Sequence, residues 1–237
     1  MTDPMLKVER LNAWYGRAQV LFDLALEVRP GEVVALMGRN GAGKSTTMKA
    51  VMGLLERRRG AIHFMGHDIA ALPSFRIARL GMGFVPENRR IFTDLTVLEN
   101  LEIGRQPPRS GIPEWTVDRL FRLFPNLAGM PGRRGGQMSG GEQQMLTVAR
   151  TLMGNPCLVL LDEPSEGVAP VIVEQMAAMI LELKEAGVSI LLSEQNLHFA
   201  ELVSDRAYVL EKGQLRFEGS MEALAASQDV RKAYLEV

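Results

Sequence analysis

Gly38-Arg39-Asn40-Gly41-Ala42-Gly43-Lys44-Ser45 spells G-x-x-x-x-G-K-S, the pattern of a phosphate-binding loop. Directly before it, Glu32-Val33-Val34-Ala35-Leu36-Met37 is a short apolar run that reads as a buried strand. Thr46 to Leu55 follows and continues as a helix. Strand, glycine loop and helix together are the context the pattern requires, which a glycine-rich turn matching by accident would lack. Backbone N–H groups turned around phosphate oxygens leave no room for bulkier residues, hence the glycines. The start of the helix adds a partial positive charge. Lys44 is placed to reach the β- and γ-phosphates and the Ser45 hydroxyl to ligate Mg²⁺. Gly38, Asn40, Gly41, Ala42, Gly43 and Thr46 complete the nucleotide-binding set. The stretch predicts a nucleoside triphosphate site.

At 237 residues the chain has room for one large domain, or one domain with a subdomain. A net charge of −1 gives no electrostatic footprint for nucleic acid. Arg57-Arg58-Arg59, Arg89-Arg90 and Arg133-Arg134 read as solvated loop charges, not as a binding stripe. Cys157 is the only cysteine, so no disulfide forms within the chain, which suits a reducing compartment. Leu158 to Leu161 beside it mark a buried, inert thiol. The fourteen methionines are scattered and read as core fillers. Met1 to Lys7 lacks the apolar core of a signal peptide, and no window approaches the ~18 consecutive apolar residues of a membrane span. Work at a membrane would therefore need a partner to hold the chain there.

Apolar runs alternate with helical periods, which predicts an α/β fold with a mainly parallel core sheet. Its strands are expected at Val33–Met37, Met82–Val85, Leu158–Leu161 and Val188–Leu192. An antiparallel β portion is expected from Lys7 to Tyr15 and Leu21 to Val28, where apolar and polar residues alternate. Arg206–Leu210 and Gln214–Glu218 flank Glu211-Lys212-Gly213 as a hairpin. Ile103 to Gln137 is broken by Pro107-Pro108, Pro113, Pro125 and Pro131, with a helical stretch at Trp115–Phe124. It reads as a helical subdomain, about 103–155, inserted in the core of one domain spanning 1–237. Met221 to Val237 reads as a short helical end.

Two further blocks bear on the loop. Leu158-Val159-Leu160-Leu161-Asp162-Glu163 is a strand ending in two acids. Beside a phosphate loop, Asp162 is placed to hold Mg²⁺ directly or through water, and Glu163 to polarise an attacking water. Alone, the same block reads equally as a strand with solvated acids at its exit. Ser139-Gly140-Gly141-Glu142-Gln143-Gln144 opens an amphipathic helix, and Ser139 with Glu142 forms an S-x-x-E capping box. That start is a capped helix, or a second place where hydroxyl and bare amides meet a phosphate.

The phosphate loop, Met138-Ser139-Gly140-Gly141-Glu142-Gln143 and Leu160-Leu161-Asp162-Glu163-Pro164, in that order and spacing, closely resemble the ATP-binding cassette ATPases over nearly the whole chain. The resemblance implies a P-loop NTPase cassette binding ATP and Mg²⁺, with Tyr15 stacked on adenine. It implies that Ser139, Gly140, Gly141 and Glu142 contact the γ-phosphate held by the other subunit of a dimer. Two positions depart from the general pattern. Glu87 stands where most cassettes place a glutamine near Mg²⁺, and Gln195 where most place a histidine at the γ-phosphate. Gln195 still offers an amide donor but cannot become cationic or shuttle a proton. Ser165-Glu166-Gly167-Val168 lacks the aspartate often found there.

Those departures resemble one subgroup. Val85-Pro86-Glu87, Arg89-Arg90-Ile91-Phe92, Glu99-Asn100-Leu101 and Glu194-Gln195-Asn196 are similar to the second ATPase subunit of bacterial branched-chain amino acid importers. Such systems imply integral membrane permeases, a second and different cassette, and a periplasmic solute-binding protein. They imply a peripheral position on the cytoplasmic face of the inner membrane. Catalysis would rest on Glu163 and Gln195, metal binding on Ser45, Glu87 and Asp162. Ile91, Phe92 and the proline-broken insert would form the groove meeting a permease. Urea or amide importers are similar. A lipopolysaccharide exporter ATPase would share the tail Val230 to Leu235, but glutamine and histidine would be expected at positions 87 and 195. A soluble, non-transport cassette would be signalled by coiled-coil heptads, cysteine clusters or tandem cassettes, none of which the sequence shows.

Overall fold

The computed structural model describes residues 3–112 and 114–235. Met1, Thr2, Pro113 and the last two residues of the expected helical end lie outside the described residues. β1 (Leu6–Tyr15) and β2 (Ala18–Val28) form a hairpin, and β3 (Val33–Met37) leads into α1 (Lys44–Val51). β4 (Arg57–Phe64), β5 (His67–Asp68), α2 (Ser74–Leu80) and β6 (Met82–Val85) follow. Between β6 and β7 (Leu158–Asp162) lie α3 (Val97–Gly104), α4 (Val117–Leu123), α5 (Pro125–Ala128) and α6 (Gly140–Leu152). Next come α7 (Pro170–Glu185), β8 (Ser189–Glu194), α8 (Leu197–Val203) and β9 (Arg206–Glu211). β10 (Gln214–Ser220), α9 (Met221–Ala226) and α10 (Gln228–Tyr234) complete the described chain.

Two sheets result. The larger runs β10-β9-β3-β8-β7-β6, parallel except for the β9–β10 hairpin. The smaller runs β2-β1-β4-β5 and is antiparallel throughout. Every residue of β3, β7 and β8 is buried, as parallel strands covered on both faces require. β1 instead alternates, with Leu6, Val8, Leu11 and Ala13 turned to a core shared with α1 and the larger sheet. A second core packs α3, α4, α6 and α7 on the opposite face of β7 and β8. The register sets the ends of the central strands side by side: Met37 of β3 pairs with Glu194 of β8, and Asp162 of β7 with Ser193. Ligands of open parallel sheets bind beyond such carboxyl ends.

Several local expectations change. β4 and β5 were not anticipated, because Arg57-Arg58-Arg59 reads as loop. Arg57 lies over the Trp14 ring at 4.8 Å, and Arg58 donates to the carbonyls of Leu55, Ala70 and Leu72. The helix after the loop stops at Val51, short of Leu55. The stretch expected at Trp115–Phe124 is helical only over Val117–Leu123. The Thr116 side chain caps it, and Pro125 opens a new turn. Trp115 is instead anchored in the core, its backbone N–H donating to Asn155 Oδ1 at 2.7 Å. The boundary expected at Ile103 falls inside α3. β8 begins at Ser189 and runs two residues beyond Leu192, to Glu194.

The turn between β9 and β10 closes onto the glycine loop. Gly213 donates to Ala42 O at 2.8 Å and accepts from Phe22 N at 2.9 Å, joining three distant segments. Its φ of +76° favours glycine, and an added Cβ would be driven into the Val20 carbonyl. Gly213→Ala is therefore expected to lower unfolding free energy by about 2 kcal/mol or more, measured by urea denaturation. A change within about 0.5 kcal/mol would show that the turn is not constrained as described.

Candidate active site

The loop Gly38–Gly43 joins the buried β3 to α1 at the end of the larger sheet. Gly43 sits immediately before the helix with φ +110°, and its carbonyl accepts both the N–H and the hydroxyl of Thr47 at 2.9 Å. This left-handed residue swings the loop into the helix, so the unpaired N–H groups of the first turn face the mouth of the loop. Gly41, Gly43, Lys44, Ser45 and Thr46 form the floor of a cavity of ≈ 490 Å³. Asn40 lines it as well, and Val20 from β2 forms an apolar side that the sequence reading missed. Glu87, Glu163 and Glu166 form an acidic wall opposite the floor.

Lys44 is 4% exposed and saturated with partners. Its ammonium donates to Gly38 O at 2.8 Å and Arg39 O at 3.4 Å, and pairs with Glu163 Oε1 at 2.9 Å. Ser45 donates its hydroxyl to Asp162 Oδ1, also at 2.9 Å. The floor of the loop and the end of β7 are thus tied at two adjacent points. Gln195, from the turn after β8, donates to Glu163 Oε2 at 3.5 Å. Glu163 itself has φ +48°, a conformation costing a non-glycine residue about 1–3 kcal/mol. Its N–H donates to Ser193 O at 3.0 Å and its carbonyl accepts from Glu166 N at 3.2 Å.

The charges in this wall shape one another. Burial pushes the Asp162 carboxyl above its ordinary range, opposed by the Ser45 hydroxyl. Burial also acts to raise Glu163, but hydrogen bonds from the Glu166 carboxyl and Lys44 outweigh it and leave Glu163 below the usual range. Glu166 moves the other way, to about 7, first through the proton it shares with Glu163. Its own desolvation and the charges of Glu163, Glu87 and Glu194 add to that. Nothing in the sequence around Glu166 points to this pairing with Glu163.

Among the described residues, other anticipated positions lie apart from the cavity. Tyr15 is 47% exposed at the end of β1. Ser139 and Glu142 form the expected capping box: Glu142 accepts from Ser139 N at 2.7 Å, and the Ser139 hydroxyl accepts from Glu142 N at 3.4 Å. Gly140 carries the Arg89 guanidinium against its bare face, and Gly141 packs on Ile172. A second, more apolar groove of ≈ 640 Å³ runs between α2, β6, α3 and α6, with Leu54, Phe75, Phe92 and Ile103 on its lining. Phe92 lines this groove, whereas Ile91 turns inward onto the helical core beside Gly135.

A glycine loop between a buried parallel strand and a helix, faced by an acid pair at the end of β7, defines a P-loop nucleoside triphosphatase. The profile of the ABC transporter family matches residues 21–166, and the chain belongs to that family. It is an ATP-binding cassette with ATPase activity. The chain is 43% identical over 231 residues to the high-affinity branched-chain amino acid transport ATP-binding protein BraG of Pseudomonas aeruginosa, covering 98% of this chain and 99% of that protein. It is 34% identical to a probable branched-chain amino acid transport ATP-binding protein, LivF, of Archaeoglobus fulgidus, covering 96% and 97%. The lipopolysaccharide export system ATP-binding protein LptB of Haemophilus influenzae is 34% identical, covering 98% and 97%. Among solved structures, an ATP-binding cassette of an ABC transporter in its ADP conformation superposes with a TM-score of 0.81 at 28% identity, covering 98% of both chains.

Glu166 makes the site sensitive to pH. A carboxyl raised from 4.5 to about 7 in the folded state contributes stability that is complete below pH 4.5. That contribution is lost as pH rises through about 7. The depressed Glu163 acts in the opposite sense, its contribution being lost only as pH falls below its ordinary 4.5. Thermal midpoints recorded from pH 5 to 8 are thus expected to fall more steeply for the parent than for Glu166→Gln, whose amide keeps the donor at every pH. Parallel curves would refute the shared proton.

Proposed function

We propose that this cassette powers an importer of branched-chain amino acids, held peripherally at the cytoplasmic face of the inner membrane by integral permease subunits. The identity to BraG supports this solute class, and the apolar groove carrying Phe92 and Ile103 supports permease docking. No helix among the described residues is long and apolar enough to cross a membrane, so the permeases would supply the spans. A second, different cassette and a periplasmic solute-binding protein complete the assembly in this reading. Its domain organisation is one cassette over 1–237 with a helical subdomain of about 103–155. Glu87 and Gln195 weigh against the exporter reading, for which glutamine and histidine would be expected there. Nucleic acid has no place in this reading, given the net charge of −1.

The observation that carries the mechanism is the Lys44–Glu163 pair at 2.9 Å. Glu163 Oε1 stands beside Lys44, where a phosphate oxygen of ATP would compete for the same ammonium. ATP entry exchanges one anionic partner of Lys44 for another and releases Glu163. The freed carboxylate accepts a proton from water as its oxygen bonds the γ-phosphorus and the bond to the ADP oxygen breaks. Gln195 offers its amide to Glu163 at 3.5 Å. Tyr15, exposed at the rim, offers a ring for the base to stack on. Ser139, Gly140, Gly141 and Glu142, lying outside the cavity, would serve the nucleotide of the other subunit.

The residues fit Mg²⁺: Ser45 and Asp162 set two hard oxygen donors side by side, and Mg²⁺ takes few protein ligands when phosphates and waters supply the rest. Glu87, on the cavity wall, would act from farther out. When bound, the ion supplies positive charge against the phosphates.

Lys44→Ala is expected to abolish ATP binding, read by calorimetry; unchanged affinity would sink the loop assignment. Glu163→Gln is expected to bind ATP at least as tightly as the parent, since no carboxylate then competes for Lys44, while turnover falls by about 10²-fold or more. Parent-like turnover would remove Glu163 as the base. Purification of the tagged chain from native membranes, with mass spectrometry, tests the assembly. Two permeases and a second cassette support it, whereas ribosomal or DNA-bound partners discard transport.

A further inference from the structure

Glu194 is the least expected group near the site. It ends β8, is 1% exposed, and among the described residues no lysine or arginine forms an ion pair with it. A carboxylate so placed is tolerable only when its oxygens are well supplied with donors. Oε1 accepts the backbone N–H of Gln195 at 2.9 Å and of Asn196 at 3.0 Å. Oε2 accepts the Ser165 hydroxyl at 2.7 Å. One buried side chain thereby holds two loops at once: the turn after β8 that carries Gln195, and the segment after β7 that carries Glu163 and Glu166.

The surroundings show what that tie controls. Asn196 caps α8, its side chain accepting from Phe199 N at 3.1 Å, so the turn is fixed on its far side as well. On its near side Glu194 pairs with Met37, the residue that enters the glycine loop. The hydrogen bond between the Gln195 and Glu163 side chains is a long 3.5 Å. So weak a bond does not orient either partner by itself. Glu163 holds an unfavourable backbone conformation, which persists only where neighbouring contacts enforce it.

We infer that Glu194 is a positioning residue of the ATPase site, clamping the Gln195 turn to the Ser165 segment so that Glu163 and Gln195 meet the γ-phosphate in register. It touches no reacting atom and acts through those two side chains. The inference rests on their assignment above.

The experiment compares Glu194→Ala, Glu194→Gln and Ser165→Ala, with Glu163→Gln as control. Phosphate release is measured in the reconstituted transporter, and ATP binding by calorimetry on the full chain. Glu194→Ala strands two N–H groups and a hydroxyl and is expected to lower kcat about tenfold or more, with ATP affinity and KM within about twofold, as for a misplaced reacting group. Glu194→Gln keeps an acceptor for both amides and a donor for Ser165 Oγ, and is expected to restore most of the rate. Ser165→Ala removes one hydroxyl only and serves where the alanine variant at 194 does not fold; its kcat is expected to fall at unchanged KM.

Parent-like kcat in Ser165→Ala overturns the clamp. So does a loss of ATP affinity that tracks the loss of rate in Glu194→Ala, which is a structural effect. A glutamine variant no better than alanine overturns it too, because charge and not geometry would then be responsible. Full turnover by Glu163→Gln would instead fail the underlying site assignment, a result separate from these.

Discussion

A buried lysine needs an anion, and in this protein Glu163 meets the need. Lys44 lies beneath the loop, hydrogen-bonded to Gly38 and Arg39 carbonyls, with its remaining partner across the site. Removing two charges from water is costly, and a buried pair survives only where geometry and extra hydrogen bonds compensate. The compensation is built from the whole architecture. β3 delivers the loop, β7 delivers Asp162 and Glu163, and β8 delivers the turn with Gln195. These strands are neighbours in the middle of the sheet, in register, with their carboxyl ends side by side. The smaller sheet and the β9–β10 turn brace the loop from outside, through Gly213 against Ala42 and Phe22.

How far the sequence alone reveals this depends on the kind of physics each part uses. The glycine loop is legible because its backbone path permits few residues, and because a continuous apolar run before it can only be a covered strand. The hairpin at Lys212–Gly213 is legible from turn chemistry, but its grip on the loop is not, because it joins residues about 170 positions apart in sequence. β4 hides because its arginines look solvated. Arg57 is stacked on Trp14 and Arg58 is spent on three carbonyls, and no period in the sequence records either fact. Glu194 hides for a related reason. A glutamate after an apolar run reads as a solvated strand exit, and only its Ser165, Gln195 and Asn196 donors explain a carboxylate that water does not reach.

The density of acid around one cation is the electrostatic theme of the site. Glu87, Glu163, Glu166 and Glu194 all act on the same small volume. Four carboxylates there would repel a polyphosphate as well as one another. The fold limits this in two ways: the Glu163 and Glu166 carboxyls are hydrogen-bonded to each other, and Glu194 takes three donors, from Ser165, Gln195 and Asn196. Neutral Gln195, where a histidine is common in similar cassettes, adds an amide donor without adding a titrating group.

In the mechanism proposed above, this arrangement links the arrival of ATP to the strength of Glu163 as a base. Against the effect of burial, hydrogen bonds from Glu166 and Lys44 hold the Glu163 carboxylate below its ordinary range, which makes it a poor proton acceptor. Once a phosphate takes Lys44, the nearest stabilising cation leaves the carboxylate, and new negative charge arrives beside it. Both changes raise its affinity for a proton, the first by removing an opposite charge and the second by adding a like one. The carboxylate therefore becomes a stronger base when there is a γ-phosphate to attack and stays a weak one otherwise. A single ion pair, exchanged and not merely broken, thus couples recognition of ATP to activation of the group that would hydrolyse it.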